Sequence, residues 1–140
     1  MGIACHSAFG SHIATMVEVE VGADQRPRVL RAVSAVDVGR VVNPEIVKQQ
    51  IEGGLLFGIS AATGDPIRFE DGRPMVRGFG DLDFVRLSNA PEVTVEIVES
   101  DEEPGGVTEL GVPTAAPAVA NAMFALTGRR LRSLPLVVGS

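Results

Sequence analysis

The 140-residue sequence has no tryptophan, no tyrosine, one cysteine, and only 12 Lys and Arg against 18 Asp and Glu. A lone Cys5 can close no intrachain disulfide and supply no thiolate cluster for zinc or iron–sulfur. The net charge of −6 and the lack of any Lys/Arg cluster exclude a nucleic-acid-binding surface. No apolar run approaches the ~18 residues of a membrane-spanning helix. There is no charged n-region followed by an apolar h-region, so a cytoplasmic location is expected, with export alongside a partner left open. The sequence does contain 16 Gly, 9 Pro and 45% hydrophobic residues, enough for one turn-rich domain over residues 1–140 with a genuine core.

Met1 to Ser11 is small and glycine-spaced and reads as a tail. Its His6, with His12 beyond it, is a weak metal signal, better taken as loop or strand histidines. No metal ligand is assigned. Ile13 to Val21 ends in an alternation of Val17, Val19 and Val21 against Glu18 and Glu20, the signature of a half-buried strand. After a turn at Gly22 to Pro27, Arg28 to Val38 continues as a strand. It becomes apolar on both faces, which predicts a more central place than the first strand has. The two should form a hairpin.

Asn43-Pro44 reads as an N-cap followed by a proline at the first helical position, predicting a helix to about Ala62, stopped near Gly64. Val47, Ile51, Leu55 and Ile59 form its packing stripe. A second stripe holds Gln50, Gly53, Gly54, Phe57 and Gly58. Each interior glycine costs about 1 kcal/mol against alanine, so three on one face need a reason. One reason is close packing against a neighbouring element. The other is a bare surface on which a bulky group lies, with Gln50 offering an amide donor and acceptor.

Pro66 to Met75 reads as a hairpin turning at Asp71-Gly72, and Pro91 to Ser100 as a strand with Val93, Val95 and Ile97 inward. Ser100 to Pro104 is an acidic connector. Thr114 to Thr127 reads as a buried helix with Gly128 beyond its end, and Leu131 to Val138 as an edge strand. The order β-β-α-β-β-β-α predicts an α+β layer with a mixed or antiparallel sheet and two main helices.

Between connector and last helix lies Gly105-Gly106-Val107-Thr108-Glu109-Leu110-Gly111-Val112-Pro113. Glu109 is a carboxylate placed where a glycine-bearing loop enters a buried helix. That place suits a helix-dipole acid or a working acid/base.

Asp37-Val38-Gly39 with Asn43-Pro44, Gln50-Ile51-Glu52-Gly53 on a helix, and Gly106-Val107-Thr108-Glu109 before an apolar helix are together similar to one family. They resemble the C-terminal part of the molybdopterin-binding subunit of the xanthine dehydrogenase/aldehyde oxidase family, nearest the isoquinoline 1-oxidoreductase-type β subunits. The resemblance spans nearly the whole chain. It implies a fragment of a longer molybdenum hydroxylase subunit, one that hydroxylates an N-heteroaromatic compound or aldehyde with water-derived oxygen. It implies Glu109 as general base, and Gln50, Gly106, Val107 and Thr108 around a molybdenum–molybdopterin cofactor. Its expected partners are the remainder of that subunit and a small iron–sulfur subunit. Thr108 departs from the glycine common at its position. Ser7 stands where an acidic residue is frequent. The competing reading is a structural or partner-binding module that keeps the fold without cofactor. A fragment should also leave apolar surface bare around its helices.

Overall fold

A computed structural model describes residues 1–138. The chain forms strands β1 (Gly2–Ala8), β2 (Ser11–Val21) and β3 (Pro27–Asp37), then helix α1 (Pro44–Thr63). A two-residue hairpin comes next, β4 (Phe69–Glu70) and β5 (Arg73–Pro74), with strand β6 (Glu92–Ile97) and helix α2 (Val112–Thr127) after it. The main sheet has the order β1-β2-β3-β6, with β1-β2-β3 antiparallel and β6 parallel to β3. The architecture is α+β, as the alternations and caps predict.

The segment read as a tail is the strand β1. It carries little alternation because Gly2, Ala4 and Ala8 are small: Gly2 lies under α2, where a Cβ would meet the Ala122 backbone. With β1 on its outer edge, β2 becomes an inner strand like β3, so β3 is not the more central of the two. The β2–β3 hairpin forms, but its register shifts between Glu18 and Val19. Leu30 is the extra residue opposite that step, a β-bulge that reverses the facing of the residues beyond it. Val29 points inward before it, and Ala32, Ser34 and Val36 point inward after it.

Both helices pack on one sheet face, α2 over β1 and β2 and α1 towards β6. Asn43 caps α1, its Oδ1 accepting from the Ile46 amide at 3.2 Å, and Gly64 ends it. Gly128 closes α2 at φ 73°, its amide donating to Phe124 O. Helix α2 starts two residues earlier than the pattern suggests, which puts Pro117 at its sixth position rather than in its first turn. Leu131 to Val138 is not a strand. It crosses the end of α1, where Leu136 donates its amide to Ala62 O and is buried.

The core falls into two apolar clusters. One centres on Val17, Ala32, Ile59, Ala118 and Met123, the other on Ile13, Val36, Ile51, Leu55 and Leu110. Between them runs a polar layer: Thr15, Ser34 and Thr114 have no exposed surface. Thr15 Oγ1 is 2.8 Å from both Ser34 Oγ and Thr114 Oγ1. The outer sheet face has no helix on it and exposes Ile3 and Met16, while Ile46 and Phe57 are exposed on α1 and Leu126 on α2.

Candidate functional site

The residues singled out in the sequence meet at one end of the molecule, where α1 faces the loop leading into α2. Gln50 is on the second helical turn, and its Nε2 donates to the Thr108 carbonyl at 2.9 Å. This bond ties together positions 58 residues apart, one residue before Glu109. Glu109 itself is exposed, and its carbonyl accepts the Val112 amide at 3.0 Å at the entrance to α2. The dry placement expected of a base is therefore not provided by this chain alone. Gly111 is the N-cap of α2 and has no side chain to cap it.

The glycines of the α1 stripe separate into two kinds. A Cβ on Gly58 would lie 2.7 Å from both Ala115 Cβ and Val112 O, and one on Gly54 would be 3.3 Å from Gly111 Cα. Those two exist so that α1 can approach the start of α2. Gly53 has nothing within 4 Å of a built Cβ. It forms, with Gln50 and the 59% exposed Phe57, an open strip of helix surface beside the Glu109 loop. The Phe57 ring stacks on Phe84 at a centroid distance of 6.2 Å, which holds it at the border of that strip.

The loop glycines answer first to the protein itself. The Gly106 amide donates to Phe9 O at 2.8 Å, and a Cβ on Gly106 would sit 2.8 Å from Phe9 Cβ. A Cβ on Gly105 would collide with Ser11 Oγ. The pair thus permits contact with the β1–β2 turn, and the Gly106 amide is already engaged. Val107 is half-buried and packs against the Ile13–Leu110 cluster, so it anchors the loop from below. Thr108 is exposed, with its carbonyl held by Gln50. His12 is a strand residue whose Nδ1 lies 2.7 Å from Ser7 Oγ.

Two features here had no clear signal in the sequence. Phe9 adopts φ 57° at the β1–β2 turn, a left-handed conformation rare for a bulky residue, with its side chain 66% exposed beside Gly106. Ser11 Oγ is buried and has no hydrogen-bond partner among the described residues. Only Gly10, at φ 75°, marks the hairpin turn in the sequence, because phenylalanine carries no positive-φ signal.

As a donor set, this end offers a free-standing carboxylate, an amide with a second N–H and Oε1 to spare, and a bare helix surface. Among the described residues no group of three or more His, Cys, Asp or Glu is placed to hold a metal ion directly. The arrangement leaves room for an organic group against Gly53, within reach of the Gln50 amide.

Comparison with known proteins points the same way. Residues 4–91 match the model of the molybdopterin cofactor-binding domain, a range that includes Gln50 and Gly53 and ends before Glu109. The chain is 37% identical over 137 residues to the β subunit of isoquinoline 1-oxidoreductase from Brevundimonas diminuta, covering 97% of this chain and 18% of that protein. It is 33% identical over 133 residues to a nicotinate dehydrogenase subunit of Pseudomonas putida, covering 91% and 11%. The fold matches the crystal structure of quinoline 2-oxidoreductase from Pseudomonas putida 86 with a TM-score of 0.78 at 21% identity, over 89% of this chain and 17% of the other. The chain thus spans less than a fifth of the length of these relatives. Through the matched domain and the relatives that share nearly its whole length, the chain belongs to the molybdopterin cofactor-binding domain family.

Proposed function

We propose that this chain is the C-terminal part of a molybdenum hydroxylase subunit and carries that enzyme's general base, Glu109. When bound, the molybdenum cofactor would supply the two-electron oxidation of an N-heteroaromatic compound or an aldehyde. The observation that carries the reading is the Gln50 Nε2 to Thr108 O bond, with the open Gly53 beside it. It brings a cofactor-type amide and a carboxylate loop to one surface, and close packing within the chain does not account for that surface.

The roles of the chain's own residues follow from their chemistry. A Glu109 carboxylate oxygen accepts the proton of the attacking water-derived nucleophile. Gln50 would serve twice: one N–H holds the Thr108 carbonyl, and the remaining amide atoms would be free to hold the cofactor. Gly53 leaves room for it. In the isolated chain Glu109 meets solvent, so water must be excluded by other segments of the subunit, and the lone chain should be inactive. The remainder of the subunit and a small iron–sulfur subunit to carry electrons away are the partners this chemistry needs.

The exposed Ile3, Met16, Ile46 and Leu126 are the bare apolar surface expected of a fragment, and the same surface would serve a second reading, a partner-binding module without catalysis. Glu109→Gln in the assembled enzyme separates the two. It keeps side-chain size and removes proton acceptance, so kcat per bound molybdenum should fall by about 10²–10⁴-fold with metal content unchanged. Full turnover per metal in the mutant would refute the base assignment.

A further inference from the structure

The hydroxyl layer between the two apolar clusters has a direction. Thr114 Oγ1 donates to the Gly111 carbonyl at 3.3 Å. Each hydroxyl has one proton, so the Thr15–Thr114 bond must be donated by Thr15, and the Ser34–Thr15 bond by Ser34. The result is a one-way chain from Ser34 on β3, through Thr15 on β2 and Thr114 on α2, to the carbonyl of Gly111. All three side chains have no exposed surface.

Such a layer is not explained by stability. Replacing a whole buried polar set with apolar groups of the same shape is often neutral or stabilising. What hydroxyls add is geometry, since each bond has a defined length and direction. Gly111 is the N-cap of α2 and lies two residues beyond Glu109. The loop between is gripped on its other side by Gln50, through Thr108 O, and by Gly54, whose Cβ would be 3.3 Å from Gly111 Cα. The Glu109 loop is therefore held between α1 and the interior of the sheet, and the hydroxyl chain is the inner grip.

We propose that Ser34, Thr15 and Thr114 are positioning residues that set the height of the Glu109 loop over the sheet. The catalytic consequence rests on Glu109 being the base, whereas the geometric claim does not. The test on the 140-residue chain is native-state amide exchange of the triple variant Ser34→Ala/Thr15→Val/Thr114→Val. Its denaturation midpoint should stay near wild type. The Leu110 and Val112 amides should exchange about 5-fold faster relative to the amides of β2 and β3, the scale of one lost hydrogen bond. A folded triple variant in which Leu110 and Val112 keep their wild-type exchange would overturn the proposal.

If the triple variant does not fold, the single variants Thr114→Ser and Thr114→Val decide. Serine keeps the hydroxyl and should restore wild-type loop exchange, while valine keeps the volume and should not. Equal exchange in both would refute the role. In the assembled enzyme, the folded variants without the Thr114 hydroxyl should lower kcat per bound molybdenum with KM and metal content unchanged. Unchanged turnover with a loosened loop would overturn the catalytic consequence. A fully active Glu109→Gln enzyme would instead remove the base assignment and leave the exchange result standing, so the two failures are distinguishable.

Discussion

Helix α1 places three glycines on one stripe, and they do opposite things. Gly54 and Gly58 are closed off by the start of α2, where their missing Cβ atoms let two helices approach. Gly53, one residue from Gly54, borders open space on the side where Gln50 and Phe57 are exposed. A glycine in an exposed helix costs about as much as one in a seam and gains nothing from its own chain. The contrast shows that a small-residue stripe is not one signal. Part of it is explained by the fold, and the unexplained part lies beside Glu109.

One substitution made at both sites tests the contrast most sharply. Gly58→Ala should cost about 1–3 kcal/mol in overpacking, because a methyl there meets Val112 O and Ala115 Cβ and forces the helices apart. Set against the helix-propensity gain of about 1 kcal/mol, the expected net is a destabilisation of up to about 2 kcal/mol. Urea denaturation of wild type and variant gives the difference. No destabilisation would mean that the α1–α2 seam is looser than its geometry implies.

Gln50→Leu comes next. It removes the bond to Thr108 O, and the net loss should be about 0.5–1.5 kcal/mol. The change should also disorder the Glu109 loop locally, seen as shifted amide resonances for Thr108 and Glu109 with the β2–β3 amides unmoved. Shifts spread evenly over the chain would show that the bond serves global packing instead.

Gly53→Ala carries the smallest effect and the opposite sign. In the lone chain it should stabilise by up to about 1 kcal/mol, since the added methyl meets nothing. In the assembled enzyme the same methyl should lower molybdenum content if the cofactor lies against this strip. Full metal content there would assign the open surface to something other than cofactor.

Much of this architecture was legible from local chemistry. Asn43-Pro44 marks the start of α1, and Gly64 and Gly128 mark where the helices end, because caps are decided by side chains within a few residues. The valines of β2 and β6 announce their buried faces. The five candidate residues Gln50, Gly106, Val107, Thr108 and Glu109 were marked by pattern and resemblance, yet nothing local says that Gln50 and Thr108 touch. Strand β1 stayed hidden because glycine and alanine carry no alternation signal. The phase of β3 stayed hidden because a bulge depends on the partner strand, not on the bulged residue.

By itself, the sequence determined the α+β class, the limits of α1 and the end of α2, the inward faces of β2 and β6, and the placing of a lone carboxylate ahead of an apolar helix. These follow from propensity, periodicity and capping, which act over a few residues. The tertiary structure alone decided which glycines are seam and which are surface, that the loop glycines face Phe9 and Ser11, and that three hydroxyls on β2, β3 and α2 join into one chain. Those outcomes depend on which distant segment lies opposite, with Thr15 and Thr114 separated by 99 positions and joined across 2.8 Å. Contacts of that separation are set by how the helices pack on the sheet, and that packing is a property of the whole chain.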